Sequence, residues 1–337
     1  MIRHISRLTI IVFCCLAIMG TILALIFGIH LTSEELPLEP KEIRISPGTS
    51  TKSIAKQLAE EQIIRSPLLF EAVAYIDGTS RYLQAGTYEL SAAMGLREII
   101  HKLKSGDVVY RQFVVPEGLT VAQIALRFED EGFGSAKSFS RAASDSKWQK
   151  RYGIEGTSLE GYLFPNTYKL VDEISAAKVI KLMLDEFERQ WTSERSEEAE
   201  SLDFSPREII TLASIIEKEA QVADERPLIS AVFHNRLKRG WKLDADPTVL
   251  YALGNPPRAL TKKDLKFDSS YNTYVYRGLP PAPICSPGLA SIMAALRPAE
   301  SSHLYFVAIG DGKHHFSNTL AEHNRVIRRI RRNSTRG

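Results

Sequence analysis

The stretch Ser205–Gln221, SPREIITLASIIEKEAQ, has the least freedom of any part of this chain in what it can fold into. Ser205 supplies an N-cap, Pro206 suits the first helical position, and Glu208 three residues after the cap closes a capping box. At about 100° per residue, Ile209, Ala213, Ile216 and Ala220 centre one apolar face, while Lys218 points the other way. Glu217 falls on one flank of that face, beside Ile210 and Ala213, and Glu219 falls on the other. Burial among aliphatic groups favours the neutral form of a carboxyl, and a carboxylic acid still protonated near neutral pH can act as a general acid. Both glutamates also read as solvated positions at the edge of an apolar stripe, paired with Lys218 or Arg226.

The N-terminus places the chain in a compartment. Ile10 to Ile29 is an apolar run broken only by Gly20, Thr21 and Gly28. At about 1.5 Å per residue, a helix of about 20 residues spans a bilayer core of about 30 Å. Arg3 and Arg7 precede the run and Glu34, Glu35 and Glu39 follow it, which puts the N-terminus in the cytoplasm and the body outside. A cleaved signal peptide is the alternative, although GIHLTSEELP offers no small-x-small cleavage site. The expectation is a single-pass anchor in the cell (inner) membrane with an extracytoplasmic, periplasmic body, which argues against cytosolic cofactors. Net charge is +3, and no recognition motif accompanies it, so no nucleic acid is expected. Cys14 and Cys15 lie in the apolar run and only Cys285 beyond it, which leaves no disulfide framework or cysteine zinc site for the body.

Past a linker at 32–42, IRISPGTSTKSIAKQL from Ile43 and FVVPEGLTVAQIALRF from Phe113 both read as strand, glycine turn, Ser/Thr helix start and amphipathic helix. Each is followed by Thr-Tyr-x-Leu, at Thr87–Leu90 and Thr167–Leu170. The first copy resembles the LysM-type unit that binds N-acetylglucosamine polymers; strand–turn–helix architecture in general is the alternative. Thr79–Tyr88 and Gly106–Val115 are expected to complete its sheet. Thr157–Leu170 is aromatic, turn-rich and carries Glu160, and it reads as an irregular loop lining a site. Beyond it come a helix over Ile174–Trp191, a charged connection at Glu194–Ser201, the glutamate helix, and a helix over Pro227–Arg239. Two short helices follow, opened by the cap-plus-proline pairs Asp246-Pro247 and Ser286-Pro287. A hairpin over His303–Ile309 and Lys313–Ser317 and a basic helix from Arg325 close the chain; the basic helix reads as a solvated face or a contact for anionic polymer or lipid headgroups. The fold class is α+β: residues 1–9 cytoplasmic, a transmembrane helix at 10–31, a LysM-like module at 43–106, a second related module at 107–170, and a mixed α/β catalytic domain at 171–332 around the central helix, with a tail at 333–337.

The sequence carries no phosphate loop, G-x-S-x-G elbow or H-E-x-x-H helix. Histidines 303, 314, 315 and 323 match no metal-ligand spacing, so no metal or cofactor is expected. What remains is a carboxyl on an apolar helix flank with nearby loops of Tyr, Asn and Pro, the make-up of a polysaccharide groove.

LEGYLFPNTY (159–168), ASIIEKEA (213–220), VFHNRL (232–237), DADPTVLY (244–251), YNTY (271–274), GLPPAPICSPG (278–288) and DGKHHFSNTLAEHN (311–324) together resemble the endolytic murein transglycosylase, or YceG-like, family. The resemblance runs from about residue 43 to 330. It implies a membrane-anchored lytic transglycosylase that cuts β-1,4 bonds between N-acetylmuramic acid and N-acetylglucosamine in nascent peptidoglycan strands, leaving 1,6-anhydro ends. It puts the catalytic glutamate at Glu217, and makes penicillin-binding synthases and the elongation or division machinery candidate partners. Asn166 stands where the family usually has aspartate and Asp244 where glutamine is common. Tyr271, Asn272 and Tyr274 are candidate sugar contacts, with Glu160, Asp246 and Glu219 around them. On this reading Glu217→Gln abolishes cleavage and Glu219→Gln spares most of it. The alternatives are a hydrolytic muramidase, which needs a second carboxylate from Glu160, Glu219, Asp244 or Asp246, and a non-catalytic wall-binding scaffold.

Overall fold

The structure is a computed structural model that describes residues 12–13, 16–20, 38–172 and 174–334. The apolar run at 10–29 falls largely outside these residues. Among the described residues, no helix is long and apolar enough to cross a membrane. The body is a mixed α+β fold with small two-stranded sheets, and it divides into two compact units after Arg111.

In the first unit, β1 (Lys41–Ile45) pairs antiparallel with β2 (Gly86–Leu90), with Ile43 opposite Tyr88. Between them run α1 (Thr51–Glu60) and α2 (Pro67–Ile76), and α3 (Leu96–Ser105) follows. The starts are locally encoded: Ser50 accepts from Ser53 N to cap α1, and Ser66 accepts from Leu69 N to cap α2 ahead of Pro67. Alternation in β1 buries Ile43 and Ile45, which meet Leu58, Phe70, Tyr88 and Leu103 in one core. The sheet stops at two strands. Val109 N donates to Thr87 O at 2.7 Å, but the expected third strand is β3 (Arg111–Val115), which pairs with β4 (Asn166–Leu170) instead.

Each repeated segment therefore pairs its strand with its own Thr-Tyr-x-Leu stretch, and each turn has its glycine in the left-handed region, Gly48 at φ 79° and Gly118 at φ 78°. In the second unit, α4 (Val121–Asp130) opens with a Thr120–Gln123 capping box. With α5 (Ala136–Ala143), α6 (Lys147–Tyr152) and α7 (Ala176–Gln190) it encloses a core centred on Phe113, Phe128, Phe133 and Phe139. A second core gathers α8 (Ser193–Ser201), where a mere connection is expected, α9 (Pro206–Glu219), α10 (Arg226–Lys238), α11 (Asp246–Ala252) and α12 (Leu289–Leu296). The antiparallel hairpin β5 (Tyr305–Gly310) and β6 (Lys313–Ser317) and the helix α13 (Leu320–Ser334) complete it.

The segment from 159 to 170 is not a surface loop. Leu159, Leu163 and Leu170 are buried in the first core and Phe164 in the second, so it joins the two. Gly161 makes the passage possible: at φ 89°, a Cβ there would lie 2.5 Å from Pro283 Cβ.

The central helix starts as its sequence dictates. Ser205 N donates to Glu208 Oε2 at 2.8 Å and Glu208 N to Ser205 Oγ at 3.3 Å. Ser205→Ala removes both the cap and its box, and is expected to lower stability by about 1 kcal/mol in urea unfolding.

Candidate active site

Helix α9 is buried on every side rather than along one stripe: Ile209 to Ile216 are all inaccessible, Thr211 and Ser214 included. The polar residues in this run find partners at once. Thr211 Oγ1 donates to Arg207 O at 2.8 Å, and Ser214 Oγ donates to Thr211 O at 2.7 Å while accepting from Ile284 N at 3.0 Å. Only its two ends emerge, and in the last turn residues 217, 218 and 219 leave the axis about 100° apart.

Glu217 is committed. Its Oε2 accepts from Gly288 N at 3.0 Å, and its Oε1 lies 3.6 Å from Arg226 Nη2. Arg226 is itself anchored, Nε donating to Ser291 Oγ at 3.1 Å, and the same Nη2 stands 3.9 Å from Glu117 Oε2. Glu117 fits because residue 288 has no side chain; a Cβ on Gly288 would fall 1.8 Å from Glu117 Oε1. Burial pushes the Glu117 carboxyl above its usual range and the Glu217 charge adds to that, while Arg226 opposes. A backbone donor and a guanidinium are thus the groups that the Glu217 carboxyl faces.

Glu219 has the surroundings that the sequence assigned to Glu217. Burial pushes its carboxyl up to about 8, the Asp246 charge adds to the rise, and Arg236 opposes it. Asp246 is not spent on a helix cap, since the N-cap of α11 is Ala245; its Oδ1 accepts from Tyr274 OH at 2.6 Å. Burial and then that bond raise the Tyr274 phenol well above its ordinary value. Lys242 Nζ donates to Tyr274 O at 2.8 Å and fixes the loop. Arg236 is held by Leu304 O at 2.7 Å, Leu243 O at 2.7 Å and Asp244 Oδ2 at 3.1 Å. Two carboxyls within electrostatic reach, one held neutral and one hydrogen-bonded to a phenol, make an acid–base pair.

The remaining candidates part ways. Asn272 is fully buried, its amide donating to Leu265 O and Phe267 O and accepting from Tyr274 N, so it shapes the loop and faces no groove. Tyr271 packs its ring 5.0 Å from that of Tyr251. Glu160 is 6% exposed; it accepts from Val121 N at 3.0 Å and Tyr251 OH at 3.3 Å, joining α4 to α11. Burial pushes it up to about 7 in spite of those two bonds. Glu117, Arg236 and Lys242 escaped sequence reasoning, whereas Arg226 was expected to pair with one of the glutamates and meets Glu217. Glu117 carried a signal in its Pro-Glu-Gly turn, because a charged residue beside an obligatory glycine is held in one place.

A cleft of about 150 Å³ is lined by Gly118, Thr120, Gln123, Lys218, Pro247, Leu250, Asn255, Pro256 and Ile284, and its Gly118 wall abuts Glu217, whose Cγ would lie 3.7 Å from a Cβ at that glycine. A larger hollow of about 510 Å³ borders Ser205, Arg207 and Pro281 at the opposite end of α9, away from the carboxyl pair. Among the described residues, no group of three or more His, Cys, Asp or Glu is placed to hold a metal.

Glu160 gives a clean check on these electrostatics. Its folded value is raised, so the folded state holds the extra proton between pH about 4.5 and about 7, and stability falls as pH rises through that window. Glu160→Gln lacks that titration. It is expected to gain on the wild type by on the order of 2 kcal/mol in denaturant unfolding at pH 9 relative to pH 4.

The YceG-like family profile matches residues 43–329. A Bacillus subtilis protein named endolytic murein transglycosylase is 37% identical over 300 residues, covering 84% of this chain and 83% of its own. A Streptococcus pneumoniae protein of the same name is 29% identical over 318 residues, and the match covers 85% of this chain and 57% of that longer one. The crystal structure of a YceG-like protein from Listeria monocytogenes, 35% identical, matches with a TM-score of 0.60 over 86% of this chain and 99% of that one. On a match that takes in both repeated segments, the buried glutamate helix and the closing hairpin, this chain belongs to the YceG-like family.

Proposed function

We propose that this protein is a lytic transglycosylase that cuts the β-1,4 bond between N-acetylmuramic acid and N-acetylglucosamine in peptidoglycan strands, with Glu219 as both acid and base. The carrying observation is a carboxyl that burial pushes up to about 8 on the last turn of the central helix, within electrostatic reach of an Asp246 that Tyr274 OH holds. The names of the B. subtilis and S. pneumoniae relatives point the same way.

Protonated Glu219 donates to the glycosidic oxygen as the bond from C1 of the muramyl ring breaks. Positive charge grows at C1, and the carboxylate of Asp246, held by Tyr274 OH, lies where it offsets that charge. Glu219, now ionised, takes the proton of the C6 hydroxyl as O6 bonds to C1. The products are a 1,6-anhydro end and a free 4-hydroxyl; no water is consumed and Glu219 regains its proton. The motif match puts this role at Glu217, whose carboxyl meets Gly288 N and Arg226, so the two substitutions below are what separates the glutamates.

One observation favours a second reading. Asp246 is a second carboxylate within electrostatic reach of Glu219, and a carboxylate so placed can activate water to give hydrolysis. The remainder of the proposal rests on sequence. The apolar run at 10–29 behind Arg3 and Arg7 supports a single-pass anchor with the body on the outer face of the membrane. Its strand–helix–helix–strand order and glycine turn support the first unit as a LysM-like holder of the glycan. Wall synthases are the partners that such a position would serve.

Mass spectrometry of digested uncrosslinked strands decides among these readings. Anhydro ends are expected; reducing ends would establish hydrolysis, and uncut strands a scaffold. Glu219→Gln is expected to lower the cleavage rate about 10²- to 10⁴-fold. Glu217→Gln keeps an acceptor for Gly288 N and is expected to lose no more than about tenfold, equivalent to about 1.4 kcal/mol. Because the acid must carry its proton, the rate falls as pH rises through about 8. Asp246→Asn removes a charge that favours the proton, so the alkaline limb of its pH–rate profile moves to lower pH.

A further inference from the structure

The first unit carries an apolar surface that its own fold leaves uncovered. Helix α2 buries Phe70 and Ala74 in the core, and on its other side Leu68, Leu69, Ala72, Tyr75 and Ile76 recur at helical spacing and face solvent. Leu68, Tyr75 and Ile76 are 77%, 80% and 77% exposed, whereas a globular surface normally keeps large apolar side chains scattered. Leu69 also lines an apolar hollow of about 210 Å³ with Ile63, Ile64, Ala92, Met94 and Leu96, so the surface runs on past the helix. Exposed arginines stand at the two ends of α2, Arg65 before it and Arg81 after it, and Arg97 answers the Asp77 carboxylate at 3.3 Å.

The chain enters the unit on this side. Ser91 Oγ donates to Leu38 O at 2.5 Å, and Ala92, the next residue, lines the hollow. Residues 30–40 separate β1 from the apolar run that ends at Ile29, and at no more than about 3.6 Å each they reach at most about 40 Å. A compact unit of about 70 residues is itself about 30 Å across. An anchor at 10–29 thus holds this unit beside the bilayer by the edge that bears the apolar surface, and docking becomes intramolecular, for which a weak affinity is enough. A second copy of the chain is a poorer match. The stripe measures about 15 Å by 10 Å, or about 150 Å², far short of the roughly 800 Å² per partner of a stable dimer. A glycan is poorer still, since Leu68, Leu69 and Ile76 offer its hydroxyls no hydrogen bonds.

We propose that α2 lies in the headgroup layer of the membrane, with Leu68, Tyr75 and Ile76 among the upper acyl carbons and Arg65 and Arg81 at the phosphates. The inference goes beyond glycan cleavage and rests on the anchor read from residues 10–29.

The test places the full chain in vesicles of phosphatidylethanolamine and phosphatidylglycerol and reads the emission of Tyr75→Trp after subtracting that of the unsubstituted chain, which accounts for Trp148, Trp191 and Trp241. Lipids brominated on the upper acyl carbons, at a depth of about 5–10 Å, are expected to quench the added emission about twofold. Adding Leu68→Ser and Ile76→Ser, both outside the core, is expected to remove that quenching. Glu89→Trp, on the sheet face turned from the same core, is expected to show none. Equal quenching of Glu89→Trp and Tyr75→Trp overturns the assignment. An emission of Tyr75→Trp that is indifferent to bromine but shifts as protein is concentrated at fixed lipid also overturns it, and gives the face to a second copy. Flotation separates the two levels of inference. A chain that does not float with the vesicles sinks the anchor and the docking with it, whereas a floating chain whose Tyr75→Trp emission is unquenched sinks the docking alone.

Discussion

The complete burial of one helix governs the catalytic unit. With Ile209 to Ile216 closed off on all sides, α9 surfaces only at its two ends, and its glutamates 217 and 219 sit at the C-terminal one. That end carries the negative pole of the helix, equivalent to roughly half an electron charge, which works against carboxylates placed there. The two glutamates meet it differently: Glu217 faces Arg226 and Gly288 N, whereas burial and the Asp246 charge raise the Glu219 carboxyl against the pull of Arg236.

The same division explains why the arginines are so firmly held. Arg226 is tied to Ser291, and Arg236 to Leu304, Leu243 and Asp244, so each guanidinium acts as a fixed charge. Tyr274 in turn fixes Asp246. Charges tied in this way cannot drift relative to the carboxyls they act on.

Much of this was legible in the sequence, and the limits of legibility have a common cause. The α9 start, the hairpin and the duplicated strand–turn–helix segments rest on residues within a few positions of each other, and local rules found them. Which glutamate stays neutral depends on Gly288, Arg226, Arg236, Asp246 and Tyr274, up to 71 positions away, and no helical projection contains them. Projection placed Glu217 correctly on a flank; the flank turned out to face an arginine. The aromatic run 159–170 was misjudged for a related reason. Its composition resembles a sugar-binding loop, but it is irregular because it threads between two cores, and irregular backbone can be buried when its groups are paired, as Phe164 O is by Tyr168 OH at 2.6 Å. Asn272 shows the converse, an amide that looks like a sugar contact and is consumed by its own loop.

Gly161 carries a mechanical consequence. Where it passes Pro283 and Ile210, backbone meets side chain with no intervening layer of atoms that could slide, so the two cores of the catalytic unit are locked in register. Two cores joined in this way take up strain as one body, so a load applied to either is felt by the helix that both of them hold.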